Sequence, residues 1–177
     1  MPEDARSFLP DYMTVASPGT LLPKDDSVVR ERAEQLAGHF KTFYAEVVYH
    51  IDWDDETVNA YAWRAEGQRH VALKGGLLRH KTLQLEGVAL VLAHEIGHHY
   101  GGEPTYWNGL SCDGQADYWG AKTGMRTAYA KSYREMMEPA INQLFAFLSK
   151  GVRLMITPAE EMRRFQSEIS FFLRTFF

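Results

Sequence analysis

The feature that most constrains this chain is His94-Glu95-Ile96-Gly97-His98, set in a stretch that reads as helix from residue 82 to 100. Leu83, Val88, Leu92 and Ile96 mark a buried stripe on that helix, residues 89–93 are apolar throughout, and Gly101-Gly102 stops it. His94 and His98 then stand one turn apart, about 6 Å along the axis and on one face. Two imidazoles so placed reach a single ion at about 2.0–2.1 Å each. Glu95 adjoins the first of them and can swing toward a water polarised by that ion, whose proton needs a base. Gly97 is a poor helix former, about 1 kcal/mol worse than Ala, so its presence points to a close approach of something to the helix. Such a pentapeptide also arises by chance, and the plain alternative is a helix with two incidental surface histidines. The apolar run leading into the motif weighs against that alternative.

A catalytic zinc takes three protein ligands and leaves a position open. The third is expected downstream, in Ser111-Cys112-Asp113-Gly114-Gln115-Ala116-Asp117. Asp113 and Asp117 are one helical turn apart, so one can bind the metal while the other accepts an imidazole N–H and fixes the tautomer. Cys112 is a rival ligand, because thiolate suits zinc, but it lies on another face. Glu103, just past the glycine stop, is a weaker rival.

The rest of the chain supplies an α+β setting. Residues 1–24 carry Pro2, Pro10, Pro18, Gly19 and Pro23 and read as an irregular arm. Asp26-Ser27 caps a helix whose face runs Val29, Ala33, Leu36, Ala37, Phe40 and Tyr44. Strands follow at about 46–51, 58–63 and 70–74, with a turn at Glu66-Gly67-Gln68, which predicts a small antiparallel or mixed sheet. Asp52, Asp54, Asp55 and Glu56 between the first two read as a solvated turn, because they lack calcium-loop spacing. Beyond the motif helix, further helices are predicted from near Ser111 toward Thr123 and over about 128–149, where Pro139 should kink or break the second. A last one starts at Thr157-Pro158 and lines up Met162, Phe165, Ile169, Phe172 and Phe176. The division expected is an arm over 1–24, a core over 25–150 and a C-terminal amphipathic helix within 151–177. That helix either packs on the core or joins copies of the chain.

Residues 59 to about 124, roughly two fifths of the chain, resemble the HtpX-like and CaaX prenyl protease group of gluzincin metallopeptidases. Four motifs carry the resemblance in order. They are Asn59-Ala60-Tyr61-Ala62, Lys74-Gly75-Gly76-Leu77-Leu78, Val91-Leu92-Ala93-His94-Glu95-Ile96-Gly97-His98 and Asp113-Gly114-Gln115-Ala116-Asp117. The resemblance implies a zincin-like domain, a small mixed sheet packed against the active-site helix and further helices. It implies His94 and His98 as ligands of one Zn2+, Glu95 as base, Asp113 as third ligand and Asp117 supporting a histidine. The group has Glu where this chain has Asp113. It also implies that an extended peptide adds to the sheet edge at Asn59, Ala60 and Tyr61. An ordinary core strand fits the same periodicity. Tyr118, Arg126, Tyr129, Tyr133 and Arg134 are candidates for stabilising an oxyanion, and none stands out.

The expectation is a zinc endopeptidase acting on a peptide or protein. Its alternatives are a catalytically weak or inactive zinc-binding module, and an interaction protein built on the aromatic C-terminal helix. A net charge of -4 leaves no basic footprint for nucleic acid. One cysteine excludes an internal disulfide. No apolar run approaches the roughly 20 residues that span a bilayer. No basic segment followed by an apolar one opens the chain, so a cytoplasmic location is expected, with export open if a leader was removed.

Overall fold

A computed structural model describes residues 1–152. The C-terminal amphipathic helix expected within 151–177, and any oligomer built through it, lie outside those residues. Among the described residues no helix is long and apolar enough to cross a membrane.

The element order is β1 (Arg6–Ser7), a 3-10 turn (Asp11–Met13), α1 (Ser27–Lys41), β2 (Val47–Asp52), β3 (Ala60–Ala65), β4 (Gln68–Lys74), α2 (Gly75–Leu78), α3 (Leu85–Tyr100), α4 (Asp113–Trp119), a π-helical turn (Gly120–Gly124), α5 (Met125–Ala128) and α6 (Tyr133–Val152). The sheet has four strands in the order β1-β3-β4-β2 and is mixed. β3 and β4 form a hairpin around Glu66 and Gly67, both at positive φ (51° and 76°), the two-residue turn that suits strand twist. β2 lies parallel to β4.

Asp26 caps α1 by accepting from the Val29 N–H at 3.1 Å, as its residue type predicts. The face of Ala33, Leu36, Ala37 and Phe40 is buried. α3 begins at Leu85, not at 82, because residues 80–83 close a turn of their own through the bond from Leu83 N–H to His80 O. Residues 88–93 are then buried on every side, between the sheet, α1, α4, the π-helical turn and α6. Burying an all-apolar helix removes most of its side-chain area from water, at about 25 cal/mol per Å2, so α3 is the centre of the core.

Two lysines pair with three of the four acidic side chains of the turn. Lys74 Nζ lies 2.6 Å from Asp52 and 3.0 Å from Asp55, and Lys24 pairs with Glu56 at 3.1 Å. α6 runs unbroken through Pro139, where the sequence predicts a kink or a break. Met137 and Ala140 on either side of it are buried where α6 packs on α3, and this packing holds the helix together across the missing N–H.

The arm is not wholly irregular. Arg6 and Ser7 pair antiparallel with Ala62 and Tyr61 of β3. Further along, Val58 N–H donates to Thr14 O, Leu22 N–H to Arg79 O and Trp53 Nε1–H to Lys24 O, which lashes residues 14–24 to the core.

Candidate metal centre

α3 presents His94, Glu95 and His98 from its buried middle, and α4 crosses it carrying Asp113 and Asp117. Glycines permit the crossing. A Cβ on Gly97 would sit 2.4 Å from Ala116 O, and one on Gly120 would sit 2.9 Å from the Ala93 carbonyl and His94 N. The backbones touch at both places, and only hydrogen fits between them. The approach inferred from Gly97 in the sequence is therefore that of α4.

The contact brings one ligand atom each from His94, His98 and Asp113 within 4.8 Å of one another. His98 Nε2 is 3.7 Å from Asp113 Oδ1, and the two imidazoles meet edge to face at 4.7 Å between centroids. Their Nδ1 atoms are engaged elsewhere. His94 Nδ1–H donates to Asp117 Oδ1 at 2.8 Å, and His98 Nδ1–H to the Ser111 carbonyl at 2.7 Å. A carbonyl only accepts, so the His98 proton stays on Nδ1 and its Nε2 keeps a lone pair. Tyr106 Oη donates to Asp113 Oδ2 at 2.6 Å, which leaves Oδ1 turned to the histidines.

His94 Nε2, His98 Nε2 and both Glu95 carboxyl oxygens are buried and have no hydrogen-bond partner among the described residues. Four such atoms at neighbouring positions of one helix are costly, because each loses water and gains nothing in return. The charges reflect the same problem. Burial pushes the Glu95 carboxyl up to about 8. Burial lowers His94, but the Asp117 carboxylate beside it more than reverses this and raises it to about 9. Burial, then the charge of His94, holds His98 well below the usual histidine range. A divalent cation among these atoms satisfies the imidazole lone pairs and favours the ionised carboxylate. Two imidazoles and a carboxylate are a zinc donor set, so the residues present fit that ion.

Cys112 and Glu103, the rival ligands, are not in the cluster. Cys112 is the residue before α4, and Glu103 caps its own loop at the Thr105 N–H. The oxyanion candidates have other occupations. Tyr118 accepts from Lys122, Arg126 stacks on Tyr133 at 4.6 Å, Tyr133 donates to Ala121 O at 3.0 Å, Tyr129 packs on His39 and Phe40, and Arg134 is exposed.

Sequence reasoning missed Tyr106 and the Ser111 carbonyl. Asn108-Gly109 was the available signal. It turns residues 105–111 back on themselves, with Gly109 at φ 74°, Tyr106 N–H bonded to Leu110 O and Thr105 bridged to Ser111. That hairpin-like loop delivers the phenol and the carbonyl to the site together.

Ala60 and Tyr61 begin β3, with Asn59 just before it, one strand in from the edge, and the side where a peptide would add is not open. Besides the β1 pairing, Phe8 N–H donates to Ala60 O at 3.0 Å. The wholly buried Asn59 amide holds Leu9, accepting from its N–H at 2.9 Å and donating to its carbonyl at 3.1 Å.

No curated protein and no solved structure gives a match. The sequence profile of peptidase family M48 matches residues 23–157, most of the chain, and the chain belongs to that family.

Proposed function

We propose that this member of family M48 is a zinc metalloendopeptidase of the HtpX-like and CaaX prenyl protease type, cutting peptide or protein substrates in a zincin-like core over residues 25–150. The observation that carries the reading is the set of four unpartnered buried atoms on His94, Glu95 and His98, with Asp113 clustered with the two histidines across the α3–α4 contact. Family membership supports peptidase chemistry.

His94 Nε2, His98 Nε2 and Asp113 Oδ1 would hold the ion. Zinc there supplies Lewis acidity, lowering the pKa of water and polarising the scissile carbonyl. Asp117 and the Ser111 carbonyl orient the imidazoles so that each turns Nε2 inward. Tyr106 orients Asp113, whose arm is one methylene shorter than the group's Glu. Glu95 takes a proton from the attacking water as its oxygen bonds to the carbonyl carbon. When the C–N bond breaks, Glu95 returns that proton to the leaving amine.

The test is cleavage of a broad peptide library by zinc-loaded protein. Wild type cleaves and Glu95→Gln, which keeps the ligands, does not. Equal cleavage by both removes Glu95 from the mechanism. A second reading is a zinc-binding module with little hydrolysis. It is favoured by the short Asp113 arm, 61% exposed and 3.7 Å from His98. Stoichiometric zinc without cleavage of any library peptide selects it.

A further inference from the structure

Glu95 and His98 are fully buried and His94 is 6% exposed. A peptide bond must reach these groups if they are to act on it, so something over them has to move. The segment against His94 is residues 4–8, which bridge the edge of β3 and the 105–111 loop. On the sheet side, Arg6 and Ser7 pair with Ala62 and Tyr61, and Phe8 N–H reaches Ala60 O. On the other side, Asp4 O accepts from Asn108 Nδ2 at 2.8 Å, and the Arg6 guanidinium lies 4.1 Å over the Tyr106 ring. Tyr106 is the phenol that holds Asp113. Between these attachments the Phe8 ring meets His94 edge on, at 5.5 Å.

We propose that residues 4–8 are a plug acting in cis, seated in the strand position that an extended peptide takes on β3, with Phe8 marking a subsite for a bulky apolar side chain beside His94. The proposal rests on the peptidase reading of the same site. Three observations support it. The segment makes the main-chain bonds of strand addition, which any peptide can make in its place. It lies outside residues 23–157, the part of the chain that the family profile matches. Its anchorage is also lighter than that of Leu9. Leu9 is 2% exposed and clamped by Asn59 at both its N–H and its carbonyl, whereas residues 4–8 hold through a two-residue strand at the sheet edge, one bond from Asn59 Nδ2 to Ser7 Oγ at 2.6 Å and the half-buried Phe8 ring. Peeling the plug back to Leu9 breaks these contacts and leaves Leu9 and its clamp in place.

The test uses the full chain. Ser7 and Tyr61 are directly opposite, next to the hydrogen-bonded Phe8–Ala60 pair, hence a close non-hydrogen-bonded pair of the kind a disulfide spans. Ser7→Cys with Tyr61→Cys locks the plug when oxidised and frees it when reduced. Thiol titration counts the state: one free thiol, Cys112, when locked, and three when open. The probe is a labelled peptide with the sequence of residues 4–10, read by fluorescence anisotropy on the Glu95→Gln background, so that no hydrolysis is needed. The reduced chain should bind it at least ten-fold more tightly than the oxidised chain. Equal affinity in the two states overturns the plug. Phe8→Asp serves if the disulfide does not form. It removes the ring contact with His94 and should bind the probe at least ten-fold more tightly than wild type, and unchanged affinity overturns the proposal. With Glu95 restored, the reduced chain should cleave library peptides at least ten-fold faster than the oxidised chain. If binding switches and cleavage never appears, the plug stands and the peptidase reading fails.

Discussion

Replacing Gly97 by alanine tests the claim that the helix crossing builds the site. The added Cβ would sit 2.4 Å from Ala116 O, 2.9 Å from Ala116 Cα and 3.0 Å from its carbonyl carbon. Ordinary contact begins near 3.4 Å, so α4 must retreat by about 1 Å. Both sides of the clash are main chain, and no side chain can swing away. Overpacking of this kind costs about 1–3 kcal/mol, against which the better helix propensity of Ala returns about 1 kcal/mol. A net loss of up to about 2 kcal/mol should lower Tm by up to about 8 °C in a chain of this size. The retreat also carries Asp113 and Asp117 away from the histidines, and with ligand bonds near 2 Å the zinc affinity should fall at least about ten-fold. Gly114→Ala is the internal control. It lies on α4, the helix that carries Asp113 and Asp117, with nothing within 4 Å of the added atom, and should be neutral or stabilising by up to about 1 kcal/mol. Thermal denaturation and chelator competition on both variants decide the matter. If Gly97→Ala melts with Gly114→Ala and binds zinc as wild type does, the crossing does not position the ligands.

Two further outcomes follow from the same geometry. Asp113→Ala should cost more zinc affinity than Asp117→Ala, because Asp113 Oδ1 faces the two free imidazole nitrogens while Asp117 is spent on His94 Nδ1; the reverse order in a chelator titration exchanges their roles. His50 is lowered below its ordinary pKa by burial and then by the stacked His70, so as the pH falls through the histidine range the unfolded chain takes up this proton before the folded one and stability declines. His50→Gln should make the loss of Tm between pH 7 and pH 5 shallower, and an unchanged slope refutes the assignment.

Features with a local signature were legible in the sequence. The α1 cap at Asp26, the apolar run of α3 and the hairpin at Glu66-Gly67 each depend on neighbouring residues, and each appears where spacing and residue type predicted it. Asp113 and Asp117 were legible as a pair because a helical turn separates them. Features made by distant partners were not. A two-residue strand such as Arg6–Ser7 is too short to have a period, and its partner lies more than fifty residues away. The parallel pairing of β2 with β4 joins strands that β3 separates in sequence. The Ser111 carbonyl has no side-chain signature at all. α3 starts three residues later than the spacing predicts, because the helical apolar spacing at Leu83 continues into a turn that the backbone closes differently. Gly97 marks a point of approach in the sequence, but the element that approaches it is visible only in the fold.

The central claim is that His94, His98 and Asp113 hold one zinc ion, and metal content tests it most directly. Elemental analysis of gently purified, zinc-supplemented protein should find about one zinc per chain. The same measurement should find it retained in Glu95→Gln and lost in His94→Ala and in His98→Ala. Less than about a tenth of an equivalent in the wild type, or an equivalent that survives both histidine substitutions, contradicts the account.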